Sequence, residues 1–284
     1  MHTRIILNNR LIETAKARLP PITGATLHGR GVFTTLAVFR GKPFLWPEHW
    51  ARLVDHAARA GVDSTAFDEE TISSSLRRLI EANEVGRGRA RVMLSARDAG
   101  SIWNAGKKKR AASNDLIIIT GDARPMSDDG LALTISPYRT NTLSPLAGVK
   151  SLNYLEHVLA WEEARARDFD EALVINERGE ITSATMGNIF WVTNGALYTP
   201  ALSTGALNGT TRARVISLAE DLSVPHVEGV YDLAHLGDAD EIFLTSSGLG
   251  VAIVTAFDFR RYTVPAGSIA LRLREAFRQL TLIF

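Results

Sequence analysis

The chain has 284 residues, too many for one small core, so two domains of ordinary size are expected. It is 45% hydrophobic and 22% charged with a formal net charge of +1, which excludes a disordered chain and offers no global field to nucleic acid or an anionic membrane. The absence of cysteine excludes disulfides, thiolate nucleophiles and cysteine-ligated metals, and no apolar run is long enough to cross a bilayer. Met1 to Arg10 carries charge and two asparagines where a secretory leader needs an apolar stretch, so a cytoplasmic location is expected.

In chain order, Arg4–Leu7 and Leu11–Ile12 flank Asn8-Asn9 and read as a hairpin. Gly31–Phe39 is a β-branched and aromatic strand, turned at Arg40–Pro43 and answered by Phe44–Trp46. Pro47 suits the first turn of a helix, and Trp50, Leu53, Val54 and Ala57 keep helical spacing up to Gly61. Asp68–Val85 predicts a second helix, and Arg89–Ala96 and Leu116–Thr120 predict strands. Between those strands lies the one basic block, Lys107 to Arg110, read as a solvated loop. The linker-like composition of residues 121–130 divides a domain over 1–120 from one over 131–284.

The second half opens with strand Leu131–Ser136 and a loop containing Pro137. From Leu152 a helix is expected to about Arg167, followed by strands at Ala172–Asn176, Asn188–Thr193, Glu241–Ser246 and Val251–Phe257. Helices are expected at Thr210–Leu222 and Ile269–Leu282. Helices and strands mix without strict βαβ alternation, so the fold class is α+β.

Only six lysines occur, and Lys150 alone sits in an apolar, tight stretch, Gly148-Val149-Lys150-Ser151-Leu152. Desolvation there lowers an amine's pKa and makes it a nucleophile; a lysine paired with a buried carboxylate fits the same context. Leu207-Asn208-Gly209-Thr210-Thr211-Arg212 enters a helix through Asn-Gly, so its open N–H groups and hydroxyls form either an anion site or an ordinary cap. Thr245-Ser246-Ser247-Gly248 after an apolar strand is a second donor cluster or a plain turn. Arg52 fits a phosphate-binding fork or a surface arginine.

These segments together resemble the class IV aminotransferases, the fold-type IV superfamily that holds branched-chain and D-amino acid aminotransferases and aminodeoxychorismate lyases. His28 to Thr35 is similar to the family's Gly-Asp-Gly-x-Phe-x-Thr strand, and Glu48 to Leu53 to its His-x-x-Arg-Leu helix. Lys150-Ser151-Leu152-Asn153 resembles the Lys-x-Leu-Asn segment, and Leu207 to Arg212 the phosphate loop. The resemblance implies a two-domain α+β fold, pyridoxal 5'-phosphate as cofactor and a Schiff base at Lys150. It also implies phosphate contacts from Arg52, Leu207, Gly209, Thr210, Thr211, Ser246 and Ser247, with Asn188 and Tyr154 in the cofactor site. Tyr154 fits a partner of the ring hydroxyl or a packed helix position. Arg30, Thr35 and Arg97 are candidates for substrate binding, and Asp98 and Trp103 for the pocket loop.

One position departs from the family pattern. Counting back from Asn188 puts Ser183 where the family carries a glutamate that keeps the pyridine nitrogen protonated. A serine supplies no negative charge, and Glu180, three residues away on a strand, faces the other side. The resemblance implies a transaminase acting on an amino acid or amine and a 2-oxo acid, as a homodimer without metal, membrane or nucleic acid. A lyase releasing pyruvate and a catalytically impaired cofactor binder are the alternatives.

Overall fold

The computed structural model describes residues 1–98, 114–124 and 130–284. The basic block at Lys107–Arg110, Trp103 and residues 125–129 of the expected linker lie outside the described residues. Contacts between Cα positions divide the chain into two compact units, one of Met1–Arg124, Val149–Tyr154 and Phe284, the other of Pro125–Gly148 and Leu155–Ile283.

In the first unit, β1 (Arg4–Leu7) and β2 (Arg10–Glu13) form the expected hairpin. Asn8 and Asn9 turn it with φ of 51° and 62°, left-handed values that asparagine tolerates and that match strand twist in a two-residue turn. α1 (Gly24–His28), not anticipated from the sequence, begins at a reciprocal cap between Thr23 and Thr26. It leads into β3 (Gly31–Phe39) and the two-residue β4 (Lys42–Pro43). The expected return strand Phe44–Trp46 does not form. Leu45 takes a left-handed φ of 54° as N-cap, and α2 (Trp46–Arg59) starts at once because Pro47 favours the first helical turn. α3 (Glu69–Ala82) is capped by the Asp68 carboxylate, which accepts from Thr71 N–H at 2.8 Å.

With β5 (Arg87–Ala96) and β6 (Asn114–Asp122), the sheet runs in the order β2-β1-β6-β5-β3-β4, every pair antiparallel. β5 alternates exposed Arg87, Arg89 and Arg91 with buried Gly88, Ala90 and Val92, the pattern of a sheet with one covered face. On the covered face Val32, Leu36, Val38, Val92, Leu94 and Ile118 meet Leu53, Ala57, Ile72, Leu76 and Leu79 of the two helices. Each of these Val, Leu and Ile side chains contributes about 1.5–3 kcal/mol on burial.

β4 pairs only with the C-terminal end of β3, at Val38 and Phe39. The N-terminal end of that edge is taken by residues 150–152. Phe33 N–H donates to Lys150 O and Leu152 N–H to Gly31 O, both at 2.9 Å, around a bridge between Val32 and Ser151. Leu152 therefore lies outside the helix that the sequence suggested, which begins at Leu155, because β3 offers main-chain partners that a helix start would forgo.

The second unit contains β7 (Leu131–Thr140), α4 (Leu155–Ala166), β8 (Glu171–Asn176), β9 (Ile181–Ala184), β10 (Asn188–Thr193) and β11 (Ala196–Pro200). α5 (Thr210–Asp221), β12 (His226–Gly229), α6 (Ala234–Gly237), β13 (Glu241–Ser246), β14 (Gly250–Phe257), β15 (Arg260–Arg261) and α7 (Ile269–Ile283) complete it. Its sheet has the order β12-β11-β10-β13-β14-β7-β8-β9, with β15 on β14. Pairs β14–β7, β7–β8 and β11–β12 are parallel and the rest antiparallel. β7 continues past the expected loop at Pro137 because a register shift between Ile135 and Arg139 accommodates a residue with no N–H to donate. β11 and β12 gave no strong sequence signal; only the pairing of Leu197 to Pro200 with His226 to Gly229 defines them. Together the two units are an α+β architecture. Among the described residues, no helix is long and apolar enough to cross a membrane.

Candidate active site

Within the first unit, the chemistry gathers around Lys150. Its Nζ lies 4.7 Å from the centre of the Phe33 ring and 4.6 Å from that of Tyr154, and donates a long hydrogen bond to Tyr154 Oη at 3.4 Å. The two rings meet edge to face at 5.2 Å. Aromatic faces attract a cation but replace little of its hydration, so burial, followed by the charges of Arg52 and Arg91, pushes the amine down to about 7. A lysine so placed holds a substantial free-base fraction near neutral pH, the form that attacks a carbonyl.

Arg52 comes from the buried side of α2, where burial lowers its guanidinium to about 10 while leaving it charged at neutral pH. Its Nη2 donates to Thr34 Oγ1 at 3.0 Å, and Thr34 Oγ1 lies 2.6 Å from Nδ1 of the buried His49. Arg52 Nη2 also faces His49 Nδ1 at 3.4 Å, and since guanidinium only donates, Nδ1 is an acceptor, the threonine proton goes to it, and His49 is neutral. Burial, then Arg52 and then Lys150, hold its pKa well below the usual histidine value. Four residues past Arg52, His56 presents its own Nδ1 to the Lys150 backbone N–H at 3.1 Å.

On the other face of β3, Phe33 and Thr35 point together. Arg91 of β5, directly opposite Thr35, donates from Nε to Thr35 Oγ1 at 3.1 Å and places Cζ 4.6 Å from the Phe33 centroid. Burial lowers the Arg91 pKa. Two substrate-binding candidates are occupied elsewhere. Arg30 Nη2 donates to Gly61 O at 2.6 Å, and Arg97 pairs with the buried Asp115 at 3.0 Å; neither shares a hydrogen bond or ion pair with Lys150 among the described residues. Asp98 is exposed.

Within the second unit, Gly209 is the N-cap of α5 and provides no side-chain cap, so the first N–H groups of the helix, at the buried Thr210 and Thr211, face the Gly209 turn. Asn188 Nδ2 donates to Leu207 O at 2.8 Å and holds that turn. A Cβ on Gly209 would stand 2.1 Å from Asn188 Oδ1, so a larger residue there would displace the Asn188 amide that holds the turn. Asn188 is paired across the sheet with Thr245, whose buried Oγ1 has no hydrogen-bond partner among the described residues. A helix N-terminus beside the orphaned Thr245 hydroxyl fits an anionic group such as a phosphate ester. Ser246 Oγ accepts from Leu249 N–H at 3.1 Å, and Ser247 is half-buried in the same turn.

Arg212, the last residue of the motif, points away from this cradle. Its buried guanidinium donates to Pro200 O at 2.9 Å and to the Glu228 carboxylate, bracing β11 and β12. Ser183 is half-buried on β9, opposite Val174. Glu180 is engaged by Arg178 at 2.6 Å and Asn176 at 2.7 Å. The carboxylate of Glu171, buried at the head of β8, accepts from Ala172 N–H at 3.0 Å, from Met186 N–H at 3.3 Å and from the Thr185 hydroxyl, and so fixes the turn before Asn188.

Sequence reasoning did not single out Phe33, Thr34, His49, His56, Arg91 or Glu171 as individual site residues. The available signals were the shared face of positions 49, 52 and 56 on one helix and the exposed arginines of an alternating strand.

Residues 31–257 match the model of the amino-transferase class IV family. A putative branched-chain-amino-acid aminotransferase of Methanocaldococcus jannaschii is 32% identical over 98% of this chain and 96% of its own length. An aminodeoxychorismate lyase of Bacillus subtilis is 28% identical over 97% and 94%. The crystal structure of a branched-chain aminotransferase from Thermoproteus uzoniensis with norvaline superposes with a TM-score of 0.90 at 25% identity, covering 99% of this chain and 95% of that one.

Proposed function

The chain belongs to the class IV aminotransferase family, and from that membership we propose a pyridoxal 5'-phosphate-dependent transaminase in which Lys150 carries the cofactor. When bound, the cofactor supplies an aldehyde for amines and a ring that accepts electrons. The observation that carries the reading is the Lys150 amine, set against the rings of Phe33 and Tyr154, with burial first and then Arg52 and Arg91 lowering its pKa to about 7.

Lys150 in this reading would hold the cofactor through its amine, and the same amine would take and return the substrate α-proton. Tyr154 orients that amine through its hydroxyl. Arg91, held by Thr35 against Phe33, offers a guanidinium to a substrate carboxylate. Arg52 supplies positive charge for a phosphate, and in the second unit Thr210, Thr211 and Thr245, with the turn at Ser246 and Ser247, supply N–H and hydroxyl donors for one. Ser183 offers the ring nitrogen a hydroxyl and no charge. The donor is an amino acid or simple amine, the acceptor a 2-oxo acid, and the enzyme a homodimer.

Borohydride reduction of the holoprotein followed by peptide mapping tests the reading: the modified residue is expected to be Lys150, and an unmodified Lys150 overturns it. Spectral titration with L- and D-amino acids and amines then identifies the donor. In Ser183→Glu the amine-driven spectral change is expected to accelerate at least tenfold; no acceleration would mean that the ring nitrogen is served otherwise. A second reading, release of pyruvate from aminodeoxychorismate, draws on the similarity to the Bacillus subtilis lyase. Pyruvate formed from that substrate with no 2-oxo acid present would favour it.

A further inference from the structure

Lys150 is held through its main chain in an unusual way. Its carbonyl accepts from Phe33 N–H at 2.9 Å, but its own N–H goes to a side chain instead of making the return bond to Phe33 of a regular antiparallel pair. A buried N–H that misses its strand partner is destabilising unless another group accepts it. Here a side chain fills the gap: His56 Nδ1 accepts the Lys150 N–H at 3.1 Å, and His56 is only 3% exposed.

The bond fixes the state of the imidazole. An N–H can be accepted only by a ring nitrogen that carries no proton, so His56 is neutral with its proton on Nε2. The charged groups acting on it are Arg52, Asp55 and Arg59 of its own helix and Lys150 across from it. Three of these four are cations. Burial first, and then Arg52, bring its pKa down to about 4 against the opposing pull of Asp55.

We infer that His56 is a positioning residue for Lys150: its bare Nδ1 clamps the Lys150 main chain at the open edge of β3 and thereby sets the amine between Phe33 and Tyr154. The inference deepens the assignment of Lys150 as the cofactor-bearing amine and rests on it. The side chain of Lys150 has four rotatable carbons, so its Nζ is placed only as well as its Cα. Two main-chain bonds, one at its carbonyl and one at its N–H, fix that Cα.

Full-length wild type, His56→Leu and His56→Asn are compared, the last because Asn Oδ1 falls where His Nδ1 lies. Competitive acylation of each chain freed of cofactor gives the titration midpoint of Lys150, and hydrogen exchange gives the protection of its amide. In His56→Leu the midpoint is expected to rise by at least one pH unit and the amide to exchange at least tenfold faster. His56→Asn is expected to keep both within a factor of about three of wild type. Should the leucine variant fail to fold, the asparagine variant and the nitrogen-15 shifts of the wild-type imidazole decide. A proton on Nδ1, an asparagine variant that loses the low midpoint, or a folded leucine variant with wild-type midpoint and exchange would overturn the inference. Lys150→Ala retaining turnover would instead remove the cofactor assignment while leaving the His56 bond untouched.

Discussion

Arg91 and Lys150 rest against the same ring: the guanidinium carbon of one lies 4.6 Å, and the amine of the other 4.7 Å, from the centre of Phe33. Two cations would ordinarily separate, but the negative face of the ring offsets part of their repulsion, and Thr35 ties the arginine down. What repulsion remains falls on the weaker base, lysine. Replacing Arg91 by methionine is expected to raise the Lys150 midpoint by about half a unit to one unit, measured by competitive acylation. It should also raise KM for a carboxylate-bearing donor at least tenfold while changing KM for a simple amine little. Equal KM changes for both donors would argue against a carboxylate role for Arg91.

Lys150 also makes the stability of the cofactor-free chain depend on pH. Its pKa is about 7 in the folded chain against an ordinary 10.5, so between these values the unfolded chain holds a proton that the folded one lacks. Stability therefore rises with pH across that window, and the cost of burying the charge is fully present below its lower limit. Lys150→Met is expected to remove this slope and to be the more stable protein at pH 6.5, as read from urea midpoints. Parallel wild-type and variant profiles from pH 6.5 to 9.5 would contradict the shift.

Thr34 joins two buried groups through one oxygen, accepting from Arg52 and donating to His49. Thr34→Val preserves shape and strips both of that partner. A loss of about 1–3 kcal/mol is expected from chemical denaturation. Thr34→Ser should recover most of it, whereas a valine variant as stable as wild type would mean the polar network is neutral to folding.

At the head of α5, Gly209→Ala would place a methyl 2.1 Å from Asn188 Oδ1, so the turn must shift and the helix N–H groups with it. Affinity for inorganic phosphate and retention of pyridoxal phosphate on dialysis are expected to fall at least tenfold. Far-ultraviolet circular dichroism should barely change, because the shift is local. Undiminished phosphate affinity would mean that α5 is not the anion site.

Much of this protein is written locally. The β-branched run of β3, Pro47 ahead of an apolar helical repeat, and Asn208-Gly209 before Thr210 each specify their element through backbone preferences that need no distant partner. Lys150 stood out for the same kind of reason, as the one lysine in a tight apolar stretch. Which arginine does what was not local. Arg30, Arg52, Arg91, Arg97 and Arg212 are chemically equivalent along the chain, and only packing delivers them to Gly61, Thr34, Phe33, Asp115 and Glu228. Likewise, residues 150–152 pair with β3 because β4 is too short to cover its edge, a matter of strand register between segments far apart in sequence. Local propensity chooses elements; the neighbours that tune a charge are chosen by pairing and burial, which the order of residues encodes only through the whole fold.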